Sequence, residues 1–500
     1  MVKRKNKNAT KRLILRIAYE YMMADAKAQP YKLQSMINKK YFSKRRFKMT
    51  RQMVTFYTGT FSRMQIPYCL NVRDFIYKHD YFTPRKSYLI HPDMYLYYTY
   101  QVFSLCYKLK AILNYAYSNV NFSMEHVNVY YSGTLLFNGS YRTIRKNYNY
   151  RSSYSKFQKK RGEYRGNRVL KIDIQDFFNN INLEKLHNDL RLMNPKGHND
   201  VAGEIYSIFQ FFKYSKFVAL PQIMDCMASS ILSQFYLIGF TSRLNKISRE
   251  KKLDVSRYVD DMYIKLPSHF ADRDVNDLAN QISTELWKSN LNLNVNKIKV
   301  YSVQKYKVAT DYSLSKGDSY SNKFIGPEYI SDKAKDVLEN NGEKLRTFWK
   351  DVHNLHSKKG IDLNRYGKLV DKCFGINGED ANKVINSMKF SKEHSWKTLL
   401  DSNAMSELLS TPEIIQYDPA MFVTFLIQLE DEYVHETGTF PNIKIEDYLH
   451  NLHLSNDDYS IREGLLDSNY FMQRKKFLDN SDNSIQKLNN EYIKFLKRFF

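Results

Sequence analysis

The sequence has little cysteine and no long apolar run. Its four cysteines, Cys69, Cys106, Cys226 and Cys373, form no CxxC pair and no Cys/His cluster with zinc spacing, which excludes a zinc ribbon. No stretch approaches the roughly 18 apolar residues that a membrane span needs. The basic N-terminus is not followed by a clean small-residue cleavage site. We therefore expect reduced, mostly buried thiols and a cytoplasmic protein with no membrane partner.

Acidic residues are scarce in the first third of the chain. Residues 1–172 hold 34 Lys and Arg against 7 Asp and Glu (net +27), whereas residues 173–500 hold 43 against 45 (net −2). A localised basic surface predicts a polyanionic partner, most often nucleic acid. The alternative is a solvated, lysine-rich surface. Tyrosine interleaved with basic residues over 141–161 is typical of a surface that stacks bases and binds phosphates, although an AT-rich genome would also enrich tyrosine.

The pattern of apolar residues predicts an α+β fold in three parts. Strands are expected at 168–173, 255–266, 291–302 and 322–330, with helices at 204–244 and 274–290 between them. The resulting order is β-α-ββ-α-β, with helices on one face of a sheet. We assign residues 1–75 to a basic helical extension, 76–330 to this α+β region and 331–500 to helix pairs of a HEAT-like kind that begin near Ser331.

Three aspartates occupy strand ends that would otherwise be apolar. Asp173 ends a Val/Leu/Ile strand, and Asp260 and Asp261 lie between two apolar half-strands that predict a hairpin. If these strands are neighbours, their carboxylates converge and require a cation to neutralise them. Hard oxygen ligands favour Mg²⁺ or Mn²⁺, and two such ions about 4 Å apart would support an in-line displacement. Taken singly, Asp173 is also compatible with a cap, and the Asp pair with a solvated turn.

Several motifs resemble those of reverse transcriptases. They are "KIDIQDFFNNI" (171–181), "ALPQIMDCMASSILSQFYL" (219–237), "YVDD" (258–261), "LNVNKIK" (293–299) and "FIG" (324–326), in family order over about 160 residues. The resemblance implies a right-hand polymerase with fingers and palm. It also implies an RNA-directed DNA polymerase, a nucleotidyltransferase that uses dNTPs and two Mg²⁺ ions. The family loop has glycine on both sides of LPQ, where this chain has Ala219 and Ile223.

Within bacterial enzymes, the chain resembles the abortive-infection (Abi) and "unknown group" defence reverse transcriptases. The segments that carry this resemblance are "SRYVDD" (256–261), "LNVNKIKV" (293–300) and "RKSYLIHP" (85–92), with a helical region in place of a thumb. The resemblance implies antiphage defence, a homo-oligomer (trimer or hexamer) and DNA synthesis primed by a tyrosine hydroxyl that the sequence does not identify. Synthesis would be template-independent or would copy an associated noncoding RNA.

The resemblance also implies roles for individual residues. Asp173 and Asp260 would hold both ions with the backbone of Ile174, and Asp261 would assist. Phe178 would exclude a 2′-hydroxyl; the alternative is a core residue beside Phe177. The residues that would contact the nucleotide are Asp176, Phe177, Phe178, Gln222, Lys297, Arg85 and Lys86.

Two other functions are compatible with the sequence. One is an RNA-templated, nucleic-acid-primed enzyme like those of retrons or group II introns. The other is a catalytically inactive scaffold that binds nucleic acid. The intact set of Asp173, Asp260 and Asp261 argues against the scaffold, because unneeded buried carboxylates would cost stability.

Overall fold

A computed structural model of the chain provides the fold. The structure describes residues 2–28, 33–44, 49–61, 71–77, 84–109, 122–131, 135, 150–193, 201–223, 226–310, 342–359, 362–374, 402–411, 413–414, 422, 426, 429 and 437–438. The chain divides into two compact units. The first comprises 1–25, 46–69 and 90–322, and the second comprises 26–45, 70–89 and 323–500.

Helices outnumber strands in the described part of the chain. The helices are α1 (Val2–Ala28), α2 (Leu33–Lys44), α3 (Arg51–Thr58), α4 (Pro92–Leu109), α5 (Tyr150–Gly162), α6 (Phe177–Asn180), α7 (Leu183–Leu192), α8 (Ala202–Tyr214), α9 (Met227–Glu250), α10 (Asp272–Trp287), α11 (Gly342–Lys359), α12 (Leu363–Phe374) and α13 (Ser402–Leu409). The strands are β1 (Asn71–Tyr77), β2 (Pro84–Ile90), β3 (Val127–Tyr130), β4 (Val169–Asp173), β5 (Asp254–Tyr258), β6 (Asp261–Lys265) and β7 (Lys299–Tyr301).

A five-stranded mixed sheet forms the centre of the first unit. Its strand order is β3-β5-β6-β4-β7, with β3 parallel to β5 and the other neighbours antiparallel. Strands β5 and β6 form a hairpin in which Tyr258 pairs with Asp261. Strand β4 lies beside β6, in a register that sets Asp173 opposite Asp261. The expected convergence of the two strand ends therefore follows from this pairing.

The two faces of the sheet carry different side chains because residues alternate along a strand. On one face, Arg257 of β5 reaches Gln234 and Thr241 of α9. On the other face, the ring centroids of Tyr258 and Tyr263 lie 5.4 and 5.9 Å from that of Phe157 in α5. Asp261 lies two residues before Tyr263 in β6 and therefore on the same face of the sheet. Its pairing partner Asp173 shares that face, so both aspartates belong to the α5 face.

Helices α9 and α10 show two kinds of burial that their sequences predict. Helix α9 is buried all round from Met227 to Leu237, as is typical of a helix enclosed by other elements. Helix α10 buries only Val275, Leu278, Ile282 and Leu286, whose spacing places them on one stripe. The helix expected at 274–290 is therefore confirmed, with observed bounds Asp272–Trp287.

The second unit contains a two-stranded sheet of β1 and β2 and the described helices α2, α11, α12 and α13. Helix α11 packs against α12 and α13. Trp349 of α11 is buried, and the ring centroids of Phe348 and Tyr366 lie 6.1 Å apart. The helical C-terminal domain as a whole stays a prediction, since Ser331 and the expected strand at 322–330 lie outside the described residues.

The expected α+β class agrees with the structure. The chain is α+β with a mixed sheet. The described thiols, Cys106, Cys226 and Cys373, are buried, whereas Cys69 lies outside the described residues. Within the described ranges, no helix is both long and apolar enough to cross a membrane. The domain boundaries at residues 75 and 330 stay predictions.

Candidate active site

Asp173 closes strand β4 and is only 3% exposed. Its Oδ1 accepts a hydrogen bond from Asn294 Nδ2 at 3.0 Å, and its Oδ2 lies 3.0 Å from Lys297 Nζ. The backbone carbonyl of Asp173 also accepts a 2.8 Å bond from the Asn294 amide. Burying a carboxylate is costly unless hydrogen-bond donors and a positive charge of this kind compensate it.

The β5–β6 hairpin presents the other two aspartates. Its connection consists of two residues, Val259 and Asp260, between the paired Tyr258 and Asp261. The Asp260 carbonyl accepts a 3.3 Å hydrogen bond from the Ile174 amide, which joins the hairpin to the residue after Asp173. The three sequence-predicted aspartates are therefore brought to neighbouring strand ends.

Asp261 faces a lysine that the sequence analysis missed. Lys171 Nζ lies 3.6 Å from Asp261 Oδ1 and 5.5 Å from the centroid of the Tyr263 ring. Lys171 lies two residues before Asp173 in β4, so both side chains emerge on the same face. The motif "KID" contained a signal for this contact. Lys171 and Asp173 share one face of their strand, so Lys171 lies beside the strand that carries Asp261 once the two aspartates are brought together.

The electrostatic surroundings of Asp260 are dominated by negative charge. Burial raises the pKa of the Asp260 carboxyl to about 7, and the charges of Asp261 and Asp173 contribute to the rise. A hydrogen bond to its own backbone and the charge of Lys297 act in the opposite direction. The local field therefore favours a proton or another cation at Asp260.

The residues at this sheet edge fit a divalent cation in charge and donor type. Carboxylate oxygens are the ligands that Mg²⁺ and Mn²⁺ prefer, and burial together with the charges of Asp261 and Asp173 raises the pKa of Asp260. Within the described ranges, no three His, Cys, Asp or Glu side chains are grouped closely enough to hold a metal ion. The amide of Asn294 and the ammonium group of Lys297 occupy the oxygens of Asp173 instead.

The segment from 291 to 297 wraps around the residues that follow Asp173. Leu293 forms an isolated β-bridge with Ile174, and the Asn292 carbonyl accepts a 2.9 Å hydrogen bond from the Gln175 amide. The predicted continuous strand over 291–302 is wrong here. A 3₁₀ turn at Val295–Lys297 precedes a three-residue edge strand, because backbone groups of this segment bond to the turn after β4.

The turn after Asp173 leads directly into α6. Asp176 has a left-handed backbone (φ 42°), which Asp tolerates better than most residues, and its Oδ1 accepts a 2.8 Å hydrogen bond from Asn179 Nδ2. Phe177 is buried at 3% exposure, whereas Phe178 is only partly buried. The two ring centroids lie 5.4 Å apart. This difference in burial is compatible with Phe178 excluding a 2′-hydroxyl and Phe177 being a core residue.

The remaining predicted contacts are less fully described. Gln222 is partly exposed in the loop between α8 and α9, and this loop is tied to the α6–α7 connection by the bridge between Asn182 and Ala219. Arg85 and Lys86 belong to β2, but their side chains lie outside the described set, as does the motif at 324–326. The roles of all these residues stay predictions.

The comparison with protein families agrees with the geometry of the site. Residues 130–328 match the family model described as reverse transcriptase (RNA-dependent DNA polymerase). This range contains Asp173, Asp260 and Asp261 together with β4–β7. The comparison with curated proteins gives no match. The domain supports a nucleotide polymerase, and enzymes with such domains generally use divalent metals such as Mg²⁺.

Proposed function

We propose that the reverse transcriptase domain at residues 130–328 makes this chain an active DNA polymerase that adds dNTPs. The observation that carries the proposal is the register of β4 and β6, which sets Asp173 opposite Asp261 and next to the Asp260 turn. An inactive scaffold would gain nothing from this group of carboxylates, in which burial, with a contribution from the charges of Asp261 and Asp173, raises the pKa of Asp260 to about 7.

The residues of the site would divide the work of phosphoryl transfer. Asp173, Asp260 and Asp261 would hold two Mg²⁺ ions, which when bound supply activation of the attacking hydroxyl and neutralisation of the leaving pyrophosphate. Lys297 would then turn from Asp173 to the phosphates of the nucleotide. Its side chain is 56% exposed, so it is free to make that change at little cost.

We further propose that synthesis is primed by a tyrosine of the protein and serves antiphage defence. The motif resemblance and the replacement of glycine by Ala219 and Ile223 around LPQ support this proposal. Buried tyrosines are unsuited to priming, because burial raises the pKa of Tyr95 and Tyr98 well above the ordinary value and hides the hydroxyl. Tyr154 is 39% exposed and its ring centroid lies 5.2 Å from that of Tyr258 in the hairpin, so it is the first candidate to test.

Label transfer to the protein tests both proposals. The purified full chain is incubated with Mg²⁺ and labelled dNTPs, treated separately with nuclease and protease, and run on a denaturing gel. We expect label on the protein band that protease releases, and no label with Asp260→Ala. Asp277→Ala, an exposed aspartate of α10, serves as the control that keeps activity.

Each other outcome selects a different function. Label only on an added primer, with an RNA template required, would favour the retron- or intron-like enzyme over protein priming. No incorporation under any condition would favour the scaffold. If Tyr154→Phe labels as well as the wild type, another tyrosine primes. For the defence role, Asp260→Ala should abolish protection of phage-challenged cells, and light scattering of the pure protein tests the proposed trimer or hexamer.

A further inference from the structure

Arg257 is a fully buried arginine in the strand that leads into the catalytic hairpin. Its exposed fraction is 0%, and burial lowers the pKa of its guanidinium group to about 9, while the charge of Asp260 acts in the opposite direction. Its Nε atom has no hydrogen-bond partner in the described part of the chain. Burying a guanidinium group is costly, so its hydrogen-bond partners indicate what it does there.

The guanidinium group joins the hairpin turn to helix α9. Its Nη1 donates to Gln234 Oε1 at 2.8 Å and to the Val259 carbonyl at 2.7 Å, and its Nη2 donates to Thr241 Oγ1 at 3.0 Å. Gln234 and Thr241 both belong to the long buried helix α9. The turn carbonyl is therefore fixed to a rigid element by a planar, preorganised group.

Val259 occupies a backbone conformation that its side chain disfavours. Its φ is 53°, which a β-branched residue rarely adopts. A two-residue hairpin with positive φ at its first residue is the type II′ pattern, where glycine is preferred. The next residue, Asp260, is not among the positive-φ residues. Such strain persists only where the surroundings fix the conformation, and it is concentrated at functional sites.

Two hydrogen bonds fix this conformation, one on each of the two peptide units that flank the Val259 Cα. The Val259 carbonyl accepts from Arg257, and the Val259 amide donates to the Tyr130 carbonyl of β3 at 3.0 Å. Asp260 follows immediately, so any rotation of the strained turn would displace its carboxylate. The Arg257 bond is the one that depends on a side chain, and therefore the one that a substitution can remove.

We propose that Arg257 is a positioning residue that holds the strained Val259 turn and thereby fixes the direction of the Asp260 carboxylate. The proposal rests on the proposed polymerase function, because it assigns Arg257 a role through Asp260. Arg257 does not itself reach the α5 face of the sheet, where Asp173 and Asp261 lie, since its side chain points to α9. It holds the Val259 turn through a backbone hydrogen bond, and its charge also interacts with that of Asp260.

Removing the guanidinium group should lower turnover much more than it changes nucleotide binding. We expect Arg257→Met to lower kcat about 100-fold, as a displaced reacting group does, and to change the KM for dNTP less than threefold. Mn²⁺ titrated into the metal-free protein should bind about tenfold more weakly, a loss typical of altered support for a ligand. Arg257→Lys keeps the buried charge but not the planar fork, so its kcat and Mn²⁺ affinity should lie between those of the wild type and of Arg257→Met. This second variant keeps the test valid if Arg257→Met does not fold.

The Val259→Gly substitution provides the decisive rescue. Glycine adopts φ near 53° without strain, so the turn should no longer need the arginine. Val259→Gly in the Arg257→Met background should regain at least tenfold in kcat and recover most of the Mn²⁺ affinity. A merely structural role for Arg257 predicts no rescue.

Arg243, which belongs to helix α9, supplies the matched control. Arg243 bonds Glu285 at 2.5 Å and Ser289 at 3.3 Å, so it also joins two elements, but it does not contact the hairpin turn. Arg243→Met should keep kcat and Mn²⁺ affinity within about threefold at a comparable loss of thermal stability. Equal effects of the two arginine substitutions, or a double variant no better than Arg257→Met, would overturn the proposal. If the wild type polymerises nothing, the polymerase function fails, while the Mn²⁺ titration still decides the role of Arg257.

Discussion

Lys297 Nζ lies 3.0 Å from Asp173 Oδ2, so an exposed lysine neutralises a carboxylate whose side chain is only 4% exposed. The lysine side chain itself is 56% exposed. In this state the ammonium group competes for the same oxygen that a metal ion would use. The pair therefore links the metal affinity of the free protein to the position of one flexible side chain.

Replacing Lys297 should have opposite effects on the metal and on the nucleotide. We expect Lys297→Met to tighten Mn²⁺ binding to the nucleotide-free protein about fivefold, since a partly exposed ion pair is worth ~1 kcal/mol. The KM for dNTP should rise, because a cation that would contact the phosphates is gone. Calorimetric titration and steady-state kinetics measure the two effects.

Lys299→Met is the matched control, since Lys299 is an exposed lysine of the neighbouring edge strand. It removes the same charge from the same region but not the bond to Asp173. If both substitutions change Mn²⁺ affinity equally, general charge accounts for the effect and the Lys297–Asp173 pair does not.

The raised pKa of Asp260 predicts how stability depends on pH in the absence of metal. Because its pKa is about 7 in the folded protein and about 4 in the unfolded chain, the folded state binds more protons between these values. The free energy of unfolding therefore falls as pH rises from about 4 to 7, and the contribution is lost above 7. With chelator present, we expect the wild type to lose about 1–3 kcal/mol between pH 5 and pH 8 relative to Asp260→Asn.

Urea unfolding at several pH values measures this difference. Adding Mg²⁺ should reduce it, because a bound cation takes over from the proton. Asp277→Asn, which changes an exposed aspartate of α10, should leave the wild-type pH profile unaltered. If the free energy of unfolding of the wild type varies with pH in parallel with that of Asp260→Asn, Asp260 ionises at its ordinary pKa.

The placement of the aspartates could be predicted from sequence because strands repeat every two residues. The apolar run of β4 ends at Asp173, and apolar half-strands flank Asp260 and Asp261, so only adjacent pairing was needed to bring them together. The same pattern gave the α+β class and the helix α10. These features depend on local periodicity, which a single sequence contains.

The supporting contacts could not be predicted because they depend on register and on backbone torsion angles. Asn294 reaches Asp173 only because the segment around it leaves the expected strand and bonds to the turn after β4. The positive φ of Val259 likewise could not be predicted, since valine in a strand-like sequence favours extended backbone. Such conflicts between local preference and final structure are expected near functional sites.

Asn294 should orient Asp173 through its side-chain amide. We expect Asn294→Ala to lower kcat about tenfold while the protein stays folded, because the backbone bond from residue 294 to the Asp173 carbonyl persists and only the 3.0 Å bond to Oδ1 is lost. Asn296→Ala, in the same 3₁₀ turn but exposed, should keep kcat within about twofold. Steady-state kinetics with circular dichroism of both variants measures this. A kcat for Asn294→Ala equal to that of the control would mean that Lys297 and the strand pairing suffice to orient Asp173.

Phe178 should decide which sugar the enzyme accepts. Its ring is only partly buried and lies one residue after the fully packed Phe177, in the turn of helix that follows Asp176. Shortening the side chain in Phe178→Ala would leave room for a 2′-hydroxyl, so the preference for dNTPs over rNTPs should fall about 100-fold. The ratio of kcat/KM values for the paired nucleotides, such as dATP and ATP, measures the preference directly.

Phe177→Leu separates this role from simple packing. Phe177 is 3% exposed, so a smaller side chain there should lower the melting temperature but leave the sugar preference within about threefold. If Phe178→Ala behaves in the same way, with a lower melting temperature and an unchanged preference, Phe178 is a core residue and selection against ribose must come from another part of the site.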